Sequence, residues 1–225
     1  MKRSVSIVAA VAAFAPGPLL ATIIDFETVP GDTPVEGLHI SNQYEASEGV
    51  TFSLQSGGTP VLAKVGSPAT AFIGPNNGPD TPAPNQGIGQ YFLTDDGLLN
   101  GLTADPLIVT YSTPTAAASG SIVDIDFDES FLVEAFDAGS ALIDSFTINA
   151  GDAGTGDGIA TFWSIQHATA DIMSIRFTGT RTTSGVFGLA FDNFSARSVV
   201  PLPASVLLLV SGLGLFGFAY RKRPQ

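Results

Sequence analysis

From Thr22 to Ala196 the chain alternates apolar and polar residues in short runs, the period of a strand with one face buried. In Val123-Asp124-Ile125-Asp126-Phe127 the apolar residues share one face and the acids the other. Phe187, Leu189 and Phe191 likewise share a face. The pattern predicts strands at Thr22–Glu27, Leu38–Tyr44, Gly49–Leu54, Val61–Val65, Ile88–Leu93, Leu107–Ser112, Ser121–Phe127, Phe131–Asp137, Ala141–Asn149, Ile159–Ile165, Ile172–Thr178 and Val186–Ala196. Asp137-Ala138-Gly139-Ser140 joins two of them and reads as a hairpin turn. Asn76–Gln86, with Pro79, Pro82 and Pro84, and the Gly/Asp-rich stretch Gly151–Gly158 read as irregular loops. No stretch of this body holds a 3.6-residue period. Many short strands separated by turn signals predict an all-β sandwich or barrel.

The two ends break this pattern. Lys2 and Arg3 precede an apolar run from Val5 to Phe14, and Leu19-Leu20-Ala21 supplies a small-residue cut site, the layout of a secretory signal peptide. At the other end Val200-Pro201-Leu202-Pro203-Ala204 leads into an uncharged run to Tyr220, closed by Arg221-Lys222-Arg223. Leu202 to Tyr220 is 19 residues. At ~1.5 Å per residue that is about 28 Å of helix, close to the ~30 Å hydrocarbon core of a bilayer. The basic triplet predicts a C-terminus on the cytoplasmic side. Gly212-Leu213-Gly214-Leu215-Phe216-Gly217 spells a dinucleotide fingerprint, but no strand precedes it and no acid follows, so a nucleotide is excluded. The expected organisation is 1–21 signal peptide, 22–198 acidic β domain and 199–225 C-terminal transmembrane segment.

The tail resembles the C-terminal sorting domain of the PEP-CTERM class, in its Val-Pro-Leu-Pro-Ala variant. Val200, Pro201, Leu202, Pro203 and Ala204 carry the likeness, with the Gly-bearing apolar helix and Arg221, Lys222 and Arg223. The resemblance implies a Gram-negative exported protein, recognised by an exosortase in the inner membrane, cut near the Pro motif and associated with surface or exopolysaccharide matrix. A second, shorter resemblance lies in the body. Ile24-Asp25-Phe26-Glu27 and Phe191-Asp192-Asn193-Phe194 look like the terminal strands of exported jelly-roll domains similar to galactose-binding-type carbohydrate-binding modules. That likeness implies a single jelly-roll-like β-sandwich whose first and last strands lie together. It also implies a structural calcium held by carboxylates there.

Charge narrows the partners. All 21 acids fall in the body, against Lys64, Arg176, Arg181 and Arg197, a net charge of −17. Nucleic acid is excluded, since its phosphates need cations. The chain has no Cys, so no disulfide staples an exported fold and a bound metal would be a useful stabiliser. Asp25, Glu27 and Asp192 are the candidate calcium ligands if the end strands are neighbours, with Asn193, carbonyls or water completing a shell of six to eight oxygens. Asp124-x-Asp126-x-Asp128 starts like an EF-hand, but Glu129 and Ala135 stand where Gly and Glu are needed, so it reads as a solvated acidic face. Gly154-Thr155-Gly156-Asp157 is one copy of a glycine-aspartate pattern and reads as a turn.

Catalytic patterns are missing. His39 and His167 are the two histidines, and no G-x-S-x-G or H-E-x-x-H occurs. His167 reads as a surface residue in a turn. Trp163, Tyr44, Tyr91 and Tyr111 are the rings a sugar could stack on, and one of Phe162 and Trp163 must face out of a regular strand. The expectation is a non-enzymatic surface or matrix component, structural or glycan-binding, with extracellular polysaccharide as partner. A secreted glycan-processing hydrolase, using a carboxylate pair among the acids, is the alternative.

Overall fold

The computed structural model describes residues 22–66, 71, 81–95, 99–100, 104–125, 128–149, 158–183, 186–187 and 190–195. Both terminal segments, with Val200–Ala204 and Arg221–Arg223, lie outside the described residues. Among the described residues no helix is long and apolar enough to cross a membrane.

The elements run β1 Ile23–Ile24, α1 Glu45–Glu48, β2 Val50–Leu54, β3 Val61–Lys64, β4 Tyr91–Thr94, β5 Leu99–Asn100 and β6 Leu107–Thr115. They continue with β7 Ala117–Val123, β8 Glu129–Phe136, β9 Leu142–Asn149, β10 Ala160–Gln166, β11 Ile172–Arg181, β12 Val186–Phe187 and β13 Phe191–Ser195. Two antiparallel sheets form a β-sandwich. One has the order β10-β7-β13-β4-β3, with β1 also pairing β13; the other runs β2-β6-β11-β8-β9. β12 and β5 pair separately.

Registry explains the core. Across the five-stranded sheet Leu54, Leu107, Phe177, Val133 and Phe146 stand in one row. Across the other, Leu62, Leu93, Phe191 and Ile122 do the same. Phe177 and Phe191 join the rows with ring centroids 5.2 Å apart. Phe26, Phe52, Phe194 and Trp163 fill the space beside them, all buried. Each such side chain contributes about 1.5–3 kcal/mol by leaving water. Trp163 fits because Gly120 lies opposite it on β7, where a Cβ would come within 3.0–3.1 Å of the indole. A smaller cluster of Ala63, Phe92, Val123, Ala190 and Ala71 is separate from this core. Phe92 and Val123 alternate with the inward Leu93 and Ile122, so the cluster covers the outer face of the six-stranded sheet.

The expected sandwich is present, with corrections to its parts. Leu38–Tyr44 is not a strand: it holds one isolated bridge, His39 to Val61, and turns into α1. Gly49 ends that helical turn in the left-handed region (φ +70°), its N–H bonded to Glu45 O. The first strand stops at Ile24 rather than Glu27. The acid-faced strand ends at Val123, because Asp124 adopts φ +69° and accepts the Gly158 N–H. The alternation read there therefore begins at a strand end, and its last two residues, Asp126 and Phe127, lie outside the described residues. The hairpin at Asp137–Ser140 stands as predicted. Asp137 Oδ1 accepts the N–H groups of Gly139 and Ala141, and Ser140 takes φ +63°.

Candidate functional site

β1 and β13 pair antiparallel, Ile23 opposite Ser195 and Ile24 opposite Phe194. The first and last strands are therefore neighbours. Beyond the pairing, both chains bend through the left-handed region, Phe26 at φ +58° and Asn193 at φ +57°. Asparagine tolerates this; a bulky Phe costs about 1–3 kcal/mol there. Phe26 is held by its buried ring, edge-on to Tyr44, Phe52 and Phe194 with centroids 5.7–6.1 Å away. At Asn193 the registry with β7 shifts, so Phe194 returns to the core and Asp192 projects from the other face.

These two bends gather polar groups. Asp25 Oδ1 accepts the Glu27 N–H at 3.1 Å. Glu27 Oε1 accepts the N–H groups of Gln90 and Tyr91, at 2.5 and 2.9 Å. Gly89 leaves the room for this, since a side chain there would overlap the Glu27 carboxylate. Asn193 Nδ2 donates to Gly87 O at 3.1 Å. Tyr44 donates its hydroxyl to Thr28 O at 2.7 Å, and burial, then Asp25 and Asp192, push its phenol up.

Asp192 is the unusual member. It has no exposed surface. Oδ1 accepts the Asn193 N–H at 2.7 Å, while Oδ2 has no hydrogen-bond partner. Burial pushes its carboxyl up to about 8; the N–H groups of Asn193 and Gly89 pull it down, and Asp25 and Glu27 push it further up. A buried carboxylate with a free oxygen is costly unless a proton or a cation satisfies it. Of the four residues read as ligands, Asp25, Glu27 and Asp192 are thus brought into one electrostatic neighbourhood, with Asn193 beside them. Among the described residues no three His, Cys, Asp or Glu side chains converge as a formed metal-binding group.

Other sequence candidates disperse. Asp128 Oδ2 accepts the N–H groups of Thr182 and Thr183 and the Thr182 hydroxyl, and Asp128 Oδ1 pairs with Arg181 at 3.4 Å, so it caps a turn instead of joining Asp124 in a solvated face. Asp126 lies outside the described residues, as do Gly154–Asp157. His39 Nδ1 is 2.8 Å from Thr59 Oγ1. His167 is half-buried, not a free surface residue. Nδ1 is 2.8 Å from Asp171 Oδ1 and Nε2 is 3.5 Å from Asp144 Oδ2. This links the end of β10 to β9, the edge strands of the two sheets.

Of the rings, Trp163, Tyr44 and Tyr111 are buried and unable to stack on a sugar. Tyr91 is half-buried with the Lys64 ammonium 5.9 Å from its centroid. Phe162 is the residue that faces out, 69% exposed. Sequence reasoning passed over the outer face of the five-stranded sheet. There Arg176 Nε and Nη2 both donate to Glu134 Oε2, at 2.9 and 2.8 Å. The guanidinium lies over the Phe136 ring, 4.9 Å from its centroid. Arg176 against so few other cations was the signal that could have found it.

No protein-family description matches the chain, and no curated protein does. Among solved structures it is similar to the carbohydrate-binding module TmCBM61, solved with beta-1,4-galactotriose (13% identity, TM-score 0.38, 68% of this chain and 91% of that one). It is also similar to the K2 cleaved adhesin domain of Lys-gingipain (10% identity, TM-score 0.41, 77% and 96%). A third likeness is to the C-terminal family 22 carbohydrate-binding module of Clostridium thermocellum Xyn10B (9% identity, TM-score 0.31, 70% and 89%). These are distant likenesses of β-sandwich form.

Proposed function

We propose that the protein is an exported surface or matrix component of a Gram-negative cell, sorted through Val200–Arg223 by an exosortase, whose acidic β-sandwich is a calcium-stabilised structural or glycan-binding module. The observation that supports the calcium is the buried Asp192 carboxylate, with one oxygen unpartnered and Asp25 and Glu27 nearby. A cation can take the place of the proton on such a group, and an all-oxygen donor set suits Ca²⁺. Asp192, Glu27 and Asp25 would hold the ion, with Asn193 and backbone carbonyls as further donors. The ion would neutralise carboxylate repulsion where the two ends of the domain meet. With no disulfide, such a tie adds stability by binding the native state alone, ~2.7 kcal/mol at a hundredfold excess over its dissociation constant.

The test is thermal melting of the exported chain in calcium and in chelator, at matched ionic strength. Calcium should raise the melting temperature, and Glu27→Ala with Asp192→Ala should abolish the rise. An equal rise in the double variant sinks the site.

A further inference from the structure

We propose that the outer face of the five-stranded sheet binds a single chain of uncharged polysaccharide, centred on Arg176, Glu134 and Phe136; this rests on the glycan-binding reading above and places it. The ground is the distribution of charge. The body carries 21 acids and a net charge of −17. Yet among the described strand residues that point outward from this sheet, Glu134 is the one acid, and Arg176 neutralises it. Carboxylates gather elsewhere: around β1 and β13, at Asp128 and Glu129, and at Asp144 and Asp171. A neutral window in a strongly acidic surface selects against polyanions, which the whole-body field repels.

The window also offers the right groups. By registry, Ser53, Thr110, Ser174, Thr178, Ser145 and Thr147 share the outer face with the ion pair. Their hydroxyls donate and accept, as sugar hydroxyls do. Arg176 uses two nitrogens on one carboxylate oxygen, so Nη1 and Glu134 Oε1 have no partner among the described residues. Glu134 is buried at 9% exposure, and Arg176 is fixed between it and the Phe136 ring. The pair is therefore ordered before a ligand arrives, which lowers the entropy lost on binding. Five strands about 4.8 Å apart span roughly 19 Å, room for several consecutive sugar units.

The experiment is affinity gel electrophoresis of the exported chain in gels containing galactan, xylan, hydroxyethylcellulose or alginate. Retardation is expected in at least one neutral gel and not in alginate. Arg176→Ala and Thr178→Trp should each weaken it by about tenfold or more, the first by leaving the ligand's hydrogen bonds unmade and the second by filling the path of the sugar chain across the face. Thr178→Trp keeps the ion pair, and an unchanged melting temperature is the check that its fold is intact. Phe162→Ala, on the other sheet, should bind as the native chain does. Native affinity in both face variants overturns this location. Loss confined to Phe162→Ala does too, and leaves glycan binding standing. Retardation in alginate alone overturns the choice of an uncharged chain. No retardation in any gel overturns both this inference and the glycan-binding reading.

Discussion

At the scale of single residues Asp192 concentrates the tension in this molecule. It is a fully buried carboxylate in a body already rich in negative charge. Without calcium, burial holds its proton on up to about 8, against an ordinary 3.8. The folded chain then binds that proton more tightly than the unfolded chain does. Stability from this group is present below pH 3.8 and is lost as pH rises toward about 8. In chelator, the melting temperature should therefore fall over that window. Asp192→Asn keeps the size and cannot ionise, so it should flatten the slope. In calcium the native slope should be shallow as well, because the ion replaces the proton. A slope in chelator that Asp192→Asn leaves unchanged would show that other groups set it.

At the scale of elements, local sequence and tertiary packing contribute differently. The turn between β8 and β9 is local. Asp137 closes it with two backbone N–H groups, and its chemistry needs no distant residue. Asp137→Ala should destabilise the protein by about 1 kcal/mol, read as a shift in denaturant midpoint. A shift indistinguishable from zero would place the turn's stability in the strands. The link between β9 and β10 is the opposite case. His167 and Asp171 are four residues apart, but Asp144 comes from β9 and meets them only because the two edge strands flank the same side of the sandwich. Burial alone would raise the Asp171 carboxyl, but the Thr169 hydroxyl and His167 outweigh it and the net shift is downward.

At the scale of the whole molecule the proposed sorting rests on the two ends of the sequence. The Pro motif and basic triplet flank an apolar run long enough to span a bilayer. Replacing Pro201 and Pro203 should leave the uncut precursor in the inner membrane, read by fractionation and mass spectrometry of the chain's ends. A chain ending at Ser198 that reached the same surface location in the same amount would remove the tail's sorting role.

The class of fold was legible because a period-two pattern is local: each strand shows its buried face in its own residues. The hairpin at Asp137–Ser140 was legible for the same reason. The adjacency of the first and last strands came from a resemblance, and the pairing of Ile24 with Phe194 bears it out. What alternation could not foresee is where the chain leaves it. Phe26, Asp124 and Asn193 adopt positive φ without being glycine, because packing and hydrogen bonds made by distant residues hold them there. The first two lie where β1 and β7 stop short of the predicted strands, and the third shifts the register inside β13 so that Phe194 returns to the core. Whether Phe162 or Trp163 faced out was likewise a matter of which sheet covered β10, with Gly120 making room for the indole. The neutral outer face is the furthest from sequence, since Arg176 and Glu134 are 42 residues apart and only strand registry sets them side by side. Sequence alone determines which residues prefer strands and turns; the tertiary structure decides which charges lose their water, because burial is a property of neighbours.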